Sequence, residues 1–288
     1  MPSLSHTTLV ILGAGRSGTN MLRDLLTECD GVATWPCDEI NYIWRHGNAR
    51  YPTDEFPPVL ASPRVKAFIR GRFDRIAAKT ACGHLVEKTC ANTLRVGFVD
   101  EVIPEARYLH IIRDGRDVAV SAGERWTAAM DIPYILRKAR YVPKTDLPYY
   151  AGKYLFNRMY ARASGRKRLA AWGPRFEGMQ EIFSHNNLHV ACALQWQRCV
   201  NRAATGLDTI GADRVLELRY EDFVQHPVEH LRNISAFTGV AMPEETITRL
   251  AKRVRPSSAG RYARKLDPET IELIEDRVGD TLATYDYR

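Results

Sequence analysis

The chain has 288 residues, of which 45% are apolar and 26% charged, with a formal net charge of +7 and a pI near 9.1. That length and composition suit one large α/β domain, or one domain with an insertion, and they exclude a disordered chain. The excess positive charge points to anionic ligands; nucleic acid is the rival reading, but no helix-turn-helix, zinc-finger spacing or aromatic RNA-binding motif accompanies it.

The first element carries the most chemistry. Leu9–Leu12 is a short apolar run that reads as a buried parallel strand, and Met21, Leu22, Leu25 and Leu26 give the apolar face of a helix. Between them lies Gly13-Ala14-Gly15-Arg16-Ser17-Gly18-Thr19-Asn20, a glycine turn that aims backbone N–H groups and a helix N-terminus at an anion. A nucleotide-triphosphate loop places Lys and then Ser or Thr after its last glycine, to reach the β/γ-phosphates and Mg²⁺. Counted from Gly13, Thr19 and Asn20 stand at those positions, and Arg16 is the loop's cation. Such a loop suits phosphate binding and is poorly equipped for Mg-dependent triphosphate chemistry.

Val32–Trp35 reads as a second strand, leading to Asp38 and Glu39. Pro52, Pro57, Pro58 and Pro63 break the next stretch into loop, after which Val65–Ala81 reads as a helix. His84–Glu87 is a strand ending in Lys88, and Leu94–Ile103 has helical periodicity stopped by Pro104. Tyr108–Ile112 is an internal strand that delivers Arg113, and Val118–Arg125 continues as a helix. Val215–Tyr220 is the last strand read here. Alternation of this kind predicts a mainly parallel sheet flanked by helices, a three-layer α/β domain.

Between about 131 and 189 the pattern changes to KARYVPK, ARASGRKR and WGPRF, rich in proline, tyrosine and basic residues. It reads as an insertion over the carboxyl edge of the sheet, a lid or acceptor-binding region, or else as a solvated basic excursion. The six cysteines (29, 37, 82, 90, 192 and 199) contain no Cys-x2-Cys pair, so no structural zinc is expected and the thiols read as free and mostly buried. The opening MPSLSHTTLVILG has neither a basic leader nor an apolar run of membrane length. The expectation is a cytoplasmic protein with no integral membrane segment.

Tyr108–Ser121 repeats the logic of the first loop. A strand-end arginine, Arg113, precedes a glycine turn, and Ser121 lies eight residues on, where the first turns of the helix return it to the same place. The guanidinium fork and a hydroxyl suit a phosphate monoester, although Asp117 also offers Arg113 a structural ion pair.

On these residues the chain resembles the sulfotransferases that use 3′-phosphoadenosine 5′-phosphosulfate (PAPS). Gly15–Asn20 is similar to that family's 5′-phosphosulfate loop, and Ile112–Ser121 to its 3′-phosphate signature. Val86-Glu87-Lys88-Thr89 with Asn92 resembles the Glu-Lys-Ser/Thr segment of carbohydrate and tyrosyl-protein members, and Arg219–Phe223 with Pro227 resembles the late Tyr-Glu-Asp-Leu segment. The resemblance spans about Leu9 to Arg264 and implies a P-loop-like fold, PAPS as co-substrate, adenosine 3′,5′-bisphosphate as product and no metal. It implies nucleotide contacts from Gly15, Arg16, Ser17, Gly18, Thr19, Asn20, Arg113, Ser121 and Tyr220. A late basic loop, Arg255–Lys265, adds Ser258 and Arg261, or is a solvated charge run.

Catalytic roles fall to Arg16 and Lys88 as cations and to Glu39 as general base, with Asp38 as the competing carboxylate; either carboxylate could instead cap a helix. Asn20 departs from the small or hydroxyl residue of many members, and either caps the helix or binds the 5′-phosphate. His46 and His84 read as surface histidines, and Trp126, Trp172 and Trp196 as core before cofactor contacts. A hydroxyl acceptor of unknown class (carbohydrate, tyrosyl peptide, lipid or small molecule), less readily an amine, is the expected partner, with no nucleic acid. The alternatives are a small-molecule kinase with a degenerate loop and a non-enzymatic polyanion binder.

Overall fold

Every residue of Thr8–Leu12 is buried, and alternate side chains serve opposite faces of the sheet. Val10 and Leu12 enter one core with Trp44, Phe73 and Phe98, while Leu9 and Ile11 enter another with Leu22, Leu26 and Phe223. This two-sided burial is why the strand reads as an unbroken apolar run. The computed structural model describes residues 4–127, 138–153, 172–255 and 259–287.

Five strands, β1 (Thr7–Leu12), β2 (Val32–Thr34), β3 (His84–Lys88), β4 (Arg107–Ile112) and β5 (Val215–Arg219), form a sheet of order β2-β3-β1-β4-β5 in which every pair is parallel. The chain leaves β1 toward β2 and β3, then crosses to build β4 and β5 on the other side. Such a reversal opens a crevice at the carboxyl ends of the central strands, and ligands of open α/β sheets bind there. Arg16, Lys88 and Arg113 follow or end β1, β3 and β4, which are three adjacent strands.

The helices described are α1 (Thr19–Leu26), α2 (Asn41–Trp44), α3 (Pro63–Thr80), α4 (Val96–Val102), α5 (Gly115–Thr127), α6 (Met179–His185), α7 (Leu188–Leu207), α8 (Tyr220–Gln225), α9 (Pro227–Thr238), α10 (Glu244–Ala251), α11 (Tyr262–Lys265) and α12 (Pro268–Thr284). Expected boundaries shift where local chemistry overrides periodicity. Ser62 caps α3 by accepting from the Val65 amide, with Pro63 at the first turn, so the helix starts two residues before the expected Val65. Residues Cys90–Leu94 form a 3-10 turn before α4, so the predicted helix over Leu94–Ile103 shortens to Val96–Val102. Tyr220 opens α8 instead of closing β5.

Helix α7 was not read from the sequence. It carries Cys192, Ala193, Trp196, Cys199 and Val200 into a third core beside Val118, Ala119 and Ile274. Its Asn187 cap accepts from the Val190 amide, so the region read as an insertion to 189 gives way to core helix at Leu188. The described parts of that region are 138–153 and 172–187. KARYVPK (138–144) and WGPRF (172–176) are among the described residues, whereas ARASGRKR (161–168) lies outside them.

Candidate active site

The loop after β1 is shaped by close approaches. A Cβ on Gly13 would stand 2.8 Å from the Ile111 carbonyl and one on Gly18 2.5 Å from the Tyr220 ring, so both positions demand glycine. Gly18 has φ +93° and Arg16, unusually for a non-glycine residue, φ +76°. Gly18 is the N-cap residue of α1. The helix-cap reading of Asn20 therefore fails: Asn20 sits exposed in the first turn, and its side chain lines the cavity in front of the loop. Ser17 is fully buried in the loop, and its Oγ has no hydrogen-bond partner among the described residues.

The loops after β1 and β4 meet. Arg16 Nε donates to Ser121 Oγ at 2.9 Å, and Arg113 Nη1 donates to the Arg16 carbonyl at 3.1 Å. Arg113 is 5% exposed, lies 4.6 Å over the Tyr220 ring and reaches Asp117 at 3.4 Å. The ion pair expected as the bland alternative is thus present, stretched, alongside the contacts to the loop. Burial and the nearby Arg113 charge both lower the pKa of Arg16.

On the other side of β1, Lys88 is 4% exposed and its Nζ stands 3.0 Å from Asp38 and 3.4 Å from Glu39. A solvated Lys88 paired with Glu87 is excluded, because period-two alternation sends Glu87 to the opposite face. There it accepts from Trp44 Nε1 and Asn92 Nδ2, and burial raises its pKa. Glu39 also accepts from the Cys90 amide at 3.4 Å and pairs with Lys138 at 3.5 Å. Burial works to raise the Glu39 pKa, but Lys88 and Lys138 overcome it and hold the carboxyl below its ordinary value. Asp38 is held down to about 2: burial opposes ionisation, and the Lys88 and Arg23 contacts, the latter at 2.6 Å, outweigh it.

These groups face one cavity of about 780 Å³, lined among others by Arg16, Asn20, Glu39, Lys88, Arg113 and Ser121. Its far wall holds Tyr42, Tyr150, Lys138, Lys153, Trp172 and Arg175. Trp172 lies against Gly15, whose Cβ would meet the indole at 3.2 Å, whereas Trp196 is buried under Gly115 and Trp126 stacks on Phe183. Tyr220 does not line the cavity; it stands one layer back, bracing Gly18 and Arg113. Arg261 is paired with Glu124 at 3.0 Å, and Ser258 lies outside the described residues. His46 is no surface histidine: it pairs with Asp146 at 2.9 Å and its ring lies on Phe68.

Sequence reasoning missed Arg23, seven residues past Arg16 on α1, and a buried charge cluster on the far wall. There Asp54 accepts from Arg45 at 2.7 Å, with Arg95 at 3.7 Å and Arg175 at 3.9 Å. The arginines come from separated segments, so no local spacing signals the cluster. Among the described residues, no group of three or more His, Cys, Asp or Glu is placed to hold a metal ion, and no helix is long and apolar enough to cross a membrane.

The family model described as "Sulfotransferase family" matches residues 157–244, a segment that holds Arg219–Phe223 but neither the loop after β1 nor the one after β4. That match covers under a third of the chain. Solved sulfotransferases share its fold over nearly the whole chain. The sulfotransferase domain from the curacin biosynthetic pathway matches with TM-score 0.57 and 13% identity, covering 99% of this chain and 99% of that one. A sulfotransferase from Alicyclobacillus acidocaldarius matches with TM-score 0.52 and 16% identity, covering 99% and 98%. Sulfotransferase STF9 from Mycobacterium avium matches with TM-score 0.53 and 13% identity, covering 100% of this chain and 78% of that one. At such identities the likeness is one of fold. No curated protein sequence matches the chain.

Proposed function

We propose that this chain is a sulfotransferase, moving a sulfuryl group from PAPS to a hydroxyl, or less readily an amine, by in-line displacement that needs no metal ion. One observation carries the reading: Arg16 bonds Ser121 and Arg113 bonds the Arg16 backbone, which merges the two anion loops into one clamp opposite Lys88 and Glu39. A ligand with phosphates at two positions of one nucleoside fits such a clamp; a triphosphate chain, which wants a loop lysine, does not.

Displacement at sulfur builds negative charge on the equatorial and leaving oxygens, much as phosphoryl transfer does. The backbone N–H groups of Gly15–Asn20 and the α1 N-terminus would hold the 5′-phosphate, with the Ser17 and Thr19 hydroxyls as further donors. Arg16 would neutralise charge on the bridging oxygen, and Lys88 charge on the transferring group. Arg113 and Ser121 would hold the 3′-phosphate, braced by Tyr220. Glu39, kept ionised by Lys88 and Lys138, would take the acceptor's proton. Asp38 is held by Arg23 at 2.6 Å and Lys88 at 3.0 Å, more tightly than Glu39 is held by Lys88 at 3.4 Å and Lys138 at 3.5 Å, which favours Glu39 as the base.

The acceptor would enter beside Tyr42, Tyr150, Lys138 and Lys153. Residues 138–153 and Trp172–Arg175 supply much of that wall, which supports an acceptor-binding role for the region within a single domain. All six thiols are free, which supports a reducing, cytoplasmic setting.

Isothermal titration tests the clamp. Adenosine 3′,5′-bisphosphate is expected to bind about 10–100-fold tighter than AMP, since one charge-assisted phosphate contact contributes about 1.5–3 kcal/mol. Equal, weak affinity would overturn the donor site. Turnover of labelled PAPS in EDTA against a panel of hydroxyl and amine acceptors then reads the chemistry. A requirement for Mg-ATP would instead mark a kinase, and steeply salt-dependent binding with no 3′-phosphate preference a polyanion binder.

A further inference from the structure

Asp117 lies on α5 one turn beyond Arg113, is 1% exposed and makes contacts that a bystander carboxylate would not make. Its Oδ2 accepts from the Gly260 amide at 2.8 Å and its Oδ1 from the Tyr262 amide at 2.9 Å. The same Oδ2 faces Arg113 Nη2 at 3.4 Å. One buried carboxylate thus holds the strand-end arginine of the anion clamp and two backbone amides of a segment 143 and 145 residues away. Neighbouring α5 groups complete the seat. Arg116 lies 4.2 Å over the Tyr262 ring, and Glu124 pairs with Arg261. Gly260 sits at φ +68°, a left-handed turn that brings its N–H toward the carboxylate.

We propose that Asp117 is a positioning residue that couples the 3′-phosphate site to the 259–265 segment, so that recognition of a nucleotide's 3′-phosphate and docking of that segment are one event. The proposal rests on the reading of Arg113 as the 3′-phosphate ligand. The carboxylate fixes Arg113 from behind while it fixes the segment from below. A phosphate that orders Arg113 therefore also steadies Asp117 and the two amides it accepts from. A 5′-monophosphate lacks the group that Arg113 would hold and gains nothing from the coupling. Asp117 then sets specificity without touching the ligand.

Charge alone makes the opposite prediction. A carboxylate beside a phosphate site repels the phosphate, so if Asp117 were only a nearby negative charge, Asp117→Asn would tighten bisphosphate binding. Under the coupling, Asp117→Asn loses one full acceptor and the ionic hold on Arg113. Adenosine 3′,5′-bisphosphate should then bind about tenfold more weakly, with AMP changed less than about twofold. Limited trypsinolysis after Arg261, Arg264 and Lys265 gives a second readout. The bisphosphate, and not AMP, should protect these bonds in the unaltered chain. The Asp117→Asn protein should be cut faster without ligand and should gain no protection from it.

Gly260→Val, which strains the segment's turn and leaves Asp117 and Arg113 in place, should reproduce both effects and guards against a misfolded Asp117→Asn protein. Unchanged or tighter bisphosphate binding in both variants overturns the coupling. If the unaltered chain itself shows no bisphosphate preference, the donor-site reading fails. The ligand-free cleavage rates then still decide whether Asp117 holds the segment.

Discussion

Arg16 reaches out of the loop after β1 to donate to Ser121 Oγ, 105 residues away on α5, at 2.9 Å. The bond joins the groups assigned to opposite ends of the nucleotide. Ser121→Ala removes the acceptor for Arg16 and a donor for the 3′-phosphate together. Adenosine 3′,5′-bisphosphate affinity should fall about 10-fold, the value of one charge-assisted hydrogen bond, with AMP nearly unchanged. Titration of both ligands checks it; equal losses for the two would remove Ser121 from the 3′ site.

Arg16 occupies the left-handed region at φ +76°, where a non-glycine residue carries about 1 kcal/mol of strain. Arg16→Gly relieves that strain and deletes the cation. The expected result is a split: stability within about 1 kcal/mol of the parent, because unfolded-chain entropy offsets the relief, against a loss of about 10²–10³ in turnover. Thermal unfolding and PAPS turnover measure the two sides. A variant that kept its turnover would show that Arg16 does not face the reacting group.

Glu39→Gln should lower turnover by about 10²–10⁴ while product binding stays within about twofold, since a base acts on the acceptor and not on the donor nucleotide. The pH profile adds a sign. Lys88 and Lys138 hold the Glu39 carboxyl below its ordinary value, so Glu39 takes up its proton only at more acidic pH than a free glutamate. The acid limb of kcat/KM should therefore lie below the usual carboxylate range, and Lys138→Met should move it up. An acid limb near pH 6 would point away from Glu39.

Much of this site is legible in the chain because Lys88 and Arg113 stand at strand ends and Arg16 in the glycine turn just past one. The strand, glycine turn and helix order of Leu9–Leu26 is set by local pattern, and so is the step from Tyr108–Ile112 to Arg113. What stays hidden is whatever depends on distant packing. Helix α7 buries Cys192, Trp196, Cys199, Ala203 and Leu207 at helical spacing, but the small alanine and cysteine side chains in that stripe make it a weak signal in the sequence. The Asp54 cluster gathers Arg45, Arg95 and Arg175 from three separate segments. Glu87 and Lys88 are neighbours in sequence yet lie on opposite faces, which only the pleat of β3 explains.

Asp38 offers a pH test of the same wall. Its folded pKa, about 2, lies below the ordinary 3.8, so its pairing with Lys88 and Arg23 stabilises the fold above pH 4 and is lost as pH falls from about 4 to 2. The difference corresponds to about 2 kcal/mol at neutral pH. Asp38→Asn should remove that amount at pH 7 and make little difference at pH 2. Urea unfolding at both pH values checks it, and an equal loss at the two would assign the effect to packing instead of charge.

The close contact of α5 with α7 gives a test of how the fold aims Arg113. Gly115 begins α5 two residues after that arginine, and a Cβ there would stand 2.5 Å from Trp196 Cε3. The tryptophan is 1% exposed in the third core and has no room to retreat. Alanine is the better helix former by up to about 1 kcal/mol, but overpacking costs about 1–3 kcal/mol, and at the first helical position the propensity gain is small. Gly115→Ala should therefore destabilise the protein by about 1–2 kcal/mol, lowering Tm by about 2–8 °C for a domain of this size. Because the helix start must shift, Arg113 should shift with it, and the bisphosphate should lose affinity while the loop after β1 is untouched. Adding Trp196→Leu to Gly115→Ala should recover part of both losses, a coupling that the double-mutant cycle reads directly. If the two losses simply add, the indole is not what holds Gly115, and the aim of Arg113 comes from Asp117 and Tyr220 alone.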